Sequence, residues 1–266
     1  MTADHSGHAA TLAACRRAGT LAHLPLHELL SADDAEAVQA QAVAALGWTA
    51  CGYKIGATNL AVQQALACTE PVSGPLFREA ELTSGAEFRL RPGLLGLESE
   101  FAFRLARDYP GRDGVLDLAS LADAVAECRA AIEVVGRRLE ADIPLNQKSV
   151  IADFAINVAF VLGDPIPNWR DGALLDAHVR ALVDGKPVAQ GNGHLVLGNP
   201  LESLLWLARK LAASGGLLRA GDIVLTGTCT GITKVVAGQS FEARFGDSAS
   251  VSLRMAQAIA LSNSNQ

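Results

Sequence analysis

The stretch Leu97-Glu98-Ser99-Glu100-Phe101-Ala102-Phe103 decides how this chain is read. In a strand, successive side chains point to opposite faces, so Glu98 and Glu100 share one face while Leu97, Phe101 and Phe103 share the other. The two carboxylates then sit roughly 6.5–7 Å apart at Cα. Like charges that close repel, and a hard, oxygen-seeking cation such as Mg²⁺ or Mn²⁺ turns that cost into a binding site. A solvent-facing strand edge accounts for the same alternation without any metal.

Further along, Glu133 stands alone in Ala130-Ala131-Ile132-Glu133-Val134-Val135. Its strand neighbours should be buried, and an unpaired buried carboxylate costs several kcal/mol unless a partner or a metal compensates it. Upstream, Lys54 lies on a mainly apolar strand beside Cys51, Tyr53 and Ile55, where it either snorkels to water or is held in a site that can shift its pKa. Asp153 and Asn157 occupy i and i+4 of a helix-like Ser149–Leu162 stretch and would share a face, as a solvated pair or as polar groups aimed into a pocket. The run Leu225-Thr226-Gly227-Thr228-Cys229-Thr230-Gly231 offers hydroxyls and backbone N–H groups to a carboxylate, or is a plain glycine-rich turn. Dinucleotide-binding, P-loop, serine-hydrolase and H-E-x-x-H signatures are all missing, and His27-Glu28 reads as a structural pair.

Around these residues the punctuation is clear. Ser31 and Asp34 form a capping box for a helix running to Leu46, with Gly47 as its stop, while Met1–His8 read as a loose terminus. A strand at Ala50–Ile55 and a short helix from Asn59 follow. Strands are expected at Leu97–Leu105, Ile132–Val135, Asp222–Thr226, Phe241–Phe245 and Val251–Arg254, and a hairpin turns at Asp184-Gly185. One helix is capped by Asn199, opened by Pro200, boxed by Glu202 and ended by Gly215-Gly216. Strands and helices do not alternate strictly, so the fold class is α+β, with residues 1–50 as a helical portion packed on a core spanning 51–266.

The chain has 266 residues, 50% of them hydrophobic and 19% charged, which suits a folded domain with a substantial core. Its net charge of −6 leaves no general basic surface for nucleic acid. No apolar run is long enough to span a membrane. Five cysteines without a C-x-x-C pair fit reduced thiols in the cytoplasm, and Arg16-Arg17 after a mildly apolar stretch break the order of a signal peptide.

Taken in order, GYKIGATN (52–59), EPVSGPLF (70–77), the Glu98–Phe103 strand, IEVV (132–135), IADFAINVAFVLG (151–163), NPLESLLWLARKLA (199–212) and LRAGDIVLTGT (218–228) resemble one family. It comprises the 2-keto-4-pentenoate hydratases, 2-oxohept-enedioate hydratases and 4-oxalocrotonate decarboxylases of the fumarylacetoacetate hydrolase superfamily. The resemblance implies a mixed β-rich core of that type, an Mg²⁺ or Mn²⁺ ion and a homo-oligomer. It implies Glu98, Glu100 and Glu133 as metal ligands, Lys54 as the active-site lysine, Asp153 as the helix acid near the pocket and Thr228 as the threonine for the substrate carboxylate; Asn157 joins Thr228 as a substrate-binding candidate. Two departures stand out: Val72-Ser73-Gly74 replaces the family's Asp-Tyr-Gly or Asp-Phe-Gly, and Phe154 replaces an asparagine after the helix acid.

The activity implied is hydration of a 2-hydroxy-2,4-dienoate to a 4-hydroxy-2-oxo acid in the catabolism of aromatic compounds by meta-cleavage. A metal that stabilises an enolate serves loss of CO₂ from 4-oxalocrotonate equally well. Decarboxylation, or a non-catalytic role as partner subunit of a pathway decarboxylase or hydratase, are the alternatives. C–C bond hydrolysis finds no His-Glu dyad by motif. Loss of polar groups at Val72 and Phe154 favours a short, apolar-ended dienoate over a diacid.

Overall fold

The computed structural model describes residues 5–112 and 114–257. In chain order it contains α1 (Ser6–Ala18), α2 (Ala32–Leu46), β1 (Ala50–Gly56), α3 (Leu60–Leu66), β2 (Val72–Phe77), β3 (Glu81–Thr83), β4 (Glu87–Arg89), β5 (Leu94–Leu105), α4 (Leu118–Ala124) and β6 (Val125–Gly136). It continues with α5 (Gln147–Ala152), β7 (Asn157–Pro165), α6 (Ala173–Asp176), β8 (Val179–Val183), β9 (Lys186–Gly191), α7 (Pro200–Ala213), β10 (Ile223–Thr228), β11 (Ser240–Phe245) and β12 (Ala249–Ala256). The strands form a seven-stranded sheet, β2-β1-β10-β5-β6-β7-β3, and a five-stranded sheet, β4-β12-β11-β8-β9. This is the α+β, β-rich architecture expected, with helices α1 and α2 ahead of the sheets.

Strand β5 runs through the middle of the larger sheet, antiparallel to both β10 and β6. Its odd-numbered face packs toward the smaller sheet, where Phe101 meets Phe245 edge-on with ring centroids 5.1 Å apart. Leu97, Phe101 and Phe103 are fully buried there. The other face is buried as well, with Glu100 at 0% exposure and Glu98 at 9%, so the solvent-edge reading of the two acids is excluded. Several local signals form as written: Ser31 and Asp34 close a capping box, and Asp184 and Gly185 both take positive φ in the hairpin between β8 and β9. Asn199 caps α7 through the Leu201 N–H, but the box expected from Glu202 is absent from the bonds around that cap.

Two expectations need correction. The expected loose terminus over Met1–His8 lies outside the described residues at 1–4 and does not hold from Ser6 onward, where α1 begins and packs Ala9, Leu12 and Ala13 into the common core. Ser149–Leu162 is not one helix: α5 ends at Ala152, and after Asp153 the chain turns through Phe154, Ala155 and Ile156, all at φ near the left-handed value (53°, 50° and 57°), before β7 starts at Asn157. The β-branched and aromatic content of Asn157–Leu162 suits a strand, and its pairing with β6 overrides the helical spacing. Each left-handed L-residue costs about 1–2 kcal/mol, so surrounding contacts must hold this turn in place.

Gly74 is one such contact. A Cβ there would lie 2.6 Å from the Phe154 carbonyl oxygen and 2.8 Å from the Ala155 Cβ. Backbone at that distance cannot yield cheaply. Gly74→Ala should therefore destabilise the protein by about 1–3 kcal/mol, the usual range for overpacking. A thermal melt should show a drop of several degrees; an unchanged Tm would mean that the turn is free to move.

Candidate metal centre and active site

The β5–β6 register places Glu98 directly opposite Glu133, and Glu100 opposite Ala131. All three glutamates therefore point from the same face of neighbouring strands. One carboxylate oxygen from each lies within 4.8 Å of the others. Lys54 enters from β1, with its Nζ 3.1 Å from Glu133 Oε2 and donating to the Ala155 carbonyl oxygen at 3.1 Å. That carbonyl is presented by the left-handed turn, which gives the strained backbone a task at the site.

The charges are unbalanced. Glu98 is pushed up to about 7 by burial, with Lys54 pulling it down and Glu133 adding to the rise. Burial drives Glu100 well above the ordinary carboxylate range, and both neighbouring glutamates push the same way. For Lys54, burial alone would lower the pKa, but Glu133, Glu98 and Glu100 together raise it above the usual lysine value. Glu100 Oε2 accepts from the Gly227 N–H at 2.8 Å, while Glu100 Oε1 is buried without a partner and Glu133 Oε2 meets the Lys54 ammonium. Three buried carboxylates facing one ammonium, with one oxygen of each within 4.8 Å of the others and Glu100 Oε1 left without a partner, are a donor set that fits a hard divalent cation.

A cavity of about 360 Å³ opens beside the cluster, reached by Lys54, Glu98, Thr58 and Thr228. Its walls are mostly apolar, including Ile55, Val62, Leu66, Val72, Val150 and Ile156. Among the described residues, Lys54 is the only cationic one lining it. Thr228 donates its hydroxyl to the Gly231 carbonyl oxygen at 3.3 Å and keeps a place at the cavity wall. Val72 lines the cavity, as the departure from the family pattern suggested; Phe154 does not, because its ring is turned away against Phe77 and the guanidinium of Arg16.

The structure separates the remaining candidates from the cavity. Asp153 is fully buried, accepts from the backbone N–H of Arg138 at 2.8 Å and from the Arg138 side chain, and does not line the cavity. Burial raises its pKa against the pull of Arg138. It is placed to hold Arg138. Asn157, also fully buried, donates from Nδ2 to Glu133 Oε1 at 2.9 Å and accepts at Oδ1 from Arg16 at 3.0 Å, so it lies behind the carboxylates and has no face on the cavity. Their i, i+4 relation vanished with the helix that suggested it.

Sequence reading missed Arg16, Arg138 and Thr58. The two arginines carry no local motif, and each becomes relevant only once strands distant in sequence are paired. Thr58 lay inside the GYKIGATN segment, but nothing in its spacing singled it out. All five cysteines are free and buried, and among the described residues no helix is long and apolar enough to cross a membrane.

Residues 61–263 match the model of the fumarylacetoacetate (FAA) hydrolase C-terminal family. The TodF product hydratase of Pseudomonas putida F1 is 35% identical over 245 residues, covering 90% of both chains. A 2-keto-4-pentenoate hydratase of Burkholderia vietnamiensis G4 is 35% identical over 201 residues, covering 75% of this chain and 76% of that one. Among solved structures, the 4-oxalocrotonate decarboxylase from Pseudomonas putida G7, complexed with magnesium and adipate, superposes with a TM-score of 0.83 at 24% identity over 94% of this chain and 97% of that one. At that identity the likeness speaks for the fold. The chain therefore belongs to the fumarylacetoacetate hydrolase family, in the group that holds the 2-keto-4-pentenoate hydratases.

Proposed function

We propose that this protein is a divalent-cation-dependent hydratase that adds water to a short 2-hydroxy-2,4-dienoate with an apolar end, giving a 4-hydroxy-2-oxo acid. The observation that carries this reading is the union of the three-glutamate cluster and Lys54 with an apolar cavity that, among the described residues, has no second cation. Relatives about one-third identical are named as hydratases of this kind. Structural neighbours were crystallised with magnesium or with Mn²⁺ and pyruvate, which agrees with the donor set here.

Glu98, Glu100 and Glu133 would hold the cation. When bound, it supplies Lewis acidity to a 2-oxo acid and stabilises negative charge on the 2-oxygen. Lys54 enters the reaction as an ammonium, because three carboxylates and a divalent cation still sum to −3 + 2 = −1 around it. It is placed to donate a proton and to steady the enolate's charge. Ketonisation protonates C5 of the dienoate and leaves a conjugated enone; water then adds at C4 and a proton at C3. Thr228 would fix the substrate carboxylate at the cavity wall, while Ile55, Val72 and Ile156 exclude bulk water from the enone.

Mn²⁺-loaded protein should convert 2-hydroxypenta-2,4-dienoate to 4-hydroxy-2-oxopentanoate. Its kcat/KM for the seven-carbon diacid analogue should be lower by 10-fold or more, since a second carboxylate among these apolar walls costs at least about 1–3 kcal/mol without a partner. Product identification by NMR checks this. Release of CO₂ from 4-oxalocrotonate at a higher kcat/KM than any hydration would replace hydratase with decarboxylase.

A further inference from the structure

Arg16 lies on α1, far in sequence from every glutamate of the cluster, yet only 3% of it is exposed. Its guanidinium carbon stands 5.5, 4.9 and 4.8 Å from the ring centroids of Trp48, Phe77 and Phe154. Inside this aromatic box it donates to the carbonyl oxygen of Asn157 and, at 3.0 Å, to Asn157 Oδ1. Arg138 also donates to the Asn157 carbonyl, at 2.7 Å, which fixes the backbone there. The side-chain amide is a separate matter. Its two ends have nearly the same shape, one accepting and one donating, and a guanidinium can only donate. With Oδ1 committed to Arg16, Nδ2 must face Glu133 Oε1, where it donates at 2.9 Å.

We infer that Arg16 is a positioning residue for the cation site: through the Asn157 amide it fixes the rotation of the Glu133 carboxylate, with Oε2 on the Lys54 ammonium and the carboxylate held within the three-glutamate cluster. Without Arg16 the Asn157 Oδ1 loses the donor that anchors it, and the amide, held only by Glu133 itself, can swing together with that carboxylate. Glu133 would then turn, and the three oxygens would no longer converge. The N-terminal helix thereby contributes to the chemistry of the centre as well as to packing. This inference rests on the reading of the three glutamates as a cation site, and it goes beyond that reading by making the site's affinity depend on α1.

The test is Mn²⁺ titration calorimetry on the full chain, with a thermal melt of each variant beside it. Arg16→Gln and Asn157→Ala should each weaken Mn²⁺ binding about 10–100-fold, the usual effect of losing a partner that orients a metal ligand. The double variant should be no weaker than the poorer single one, because both remove the same link. Arg16→Lys, which keeps the charge but not the planar fork, should also weaken binding. Leu12→Ala removes buried packing from the same helix without removing any hydrogen bond to Asn157; it should lower Tm and leave the Mn²⁺ Kd within twofold. Wild-type affinity in Arg16→Lys or Arg16→Gln overturns the inference, as does simple additivity in the double variant. Should Arg16→Gln not fold, Arg16→Lys and Asn157→Ala decide alone. If wild type binds Mn²⁺ and Glu98→Gln abolishes it while the Arg16 variants bind normally, only this inference fails. A wild-type chain that binds no Mn²⁺ overturns the cation-site reading and this inference with it.

Discussion

Glu98→Gln should abolish activity and nearly abolish Mn²⁺ binding, yet leave the metal-free protein as stable as wild type or more so. The two halves of that expectation have one cause. In the metal-free state Glu98 faces Glu133 directly across β5 and β6, and like charges in that register destabilise the sheet. Burial and this neighbour hold its pKa at about 7, against an ordinary value of 4.5. Glutamine keeps the shape and removes the charge, so the folded metal-free chain is relieved. The cation site, by contrast, loses a charged ligand, which should weaken binding by more than the roughly 10–100-fold cost of losing an outer partner.

The same shift has a consequence for pH. A carboxyl that keeps its proton up to about pH 7 when folded, but only to 4.5 when unfolded, makes the folded state bind more protons between those values. Stability of the metal-free protein should therefore fall as pH rises from about 4.5 to 7, by on the order of 3 kcal/mol from this group, and stay low above that. Mn²⁺ requires the deprotonated form, so its affinity should rise over the same interval. Melts at pH 5 and pH 8, with EDTA and with Mn²⁺, would show both trends. A Glu98→Gln protein that binds Mn²⁺ like wild type would remove Glu98 from the ligand set.

Much of this site is legible in the sequence because strand geometry is local. The alternation in Leu97–Phe103 puts two acids on one face whatever the rest of the chain does, and the isolation of Glu133 among Ala, Ile and Val announces a buried charge needing compensation. What the sequence does not carry is register. Only the pairing of β5 with β6 shows that Glu98 faces Glu133, and only the antiparallel run of β6 with β7 brings Asn157 beside Glu133. Asp153 and Asn157 looked like neighbours on a helix because their spacing fits one turn. A three-residue left-handed turn, which local propensity opposes, sent their side chains to different partners, Asp153 to Arg138 and Asn157 to Glu133 and Arg16. Arg16 was visible only as a charge after a weakly apolar stretch. Its meaning depends on an aromatic box assembled from Trp48, Phe77 and Phe154, three segments apart in the chain.

Lys54→Met should lower kcat on the preferred dienoate by roughly 10²–10⁴, the range typical of a lost proton-transfer group. Metal affinity should move the other way or not at all. The ammonium is 3.1 Å from Glu133 Oε2 and competes electrostatically with any cation held by the same carboxylates, so its removal favours cation binding. Arginine should not rescue the rate, because the site is fitted to one ammonium: Lys54 is 2% exposed, and its Nζ lies only 3.2 Å from where a Cβ on Gly56 would sit. A purely structural lysine predicts a different pattern. It would stabilise Glu133, so its loss would lower Tm and leave kcat intact in the metal-loaded protein. Steady-state kinetics with saturating Mn²⁺, alongside calorimetry on the same preparation, separates the two. Wild-type kcat in Lys54→Met would transfer the proton-handling role away from the ammonium, the cationic group that lines the cavity among the described residues.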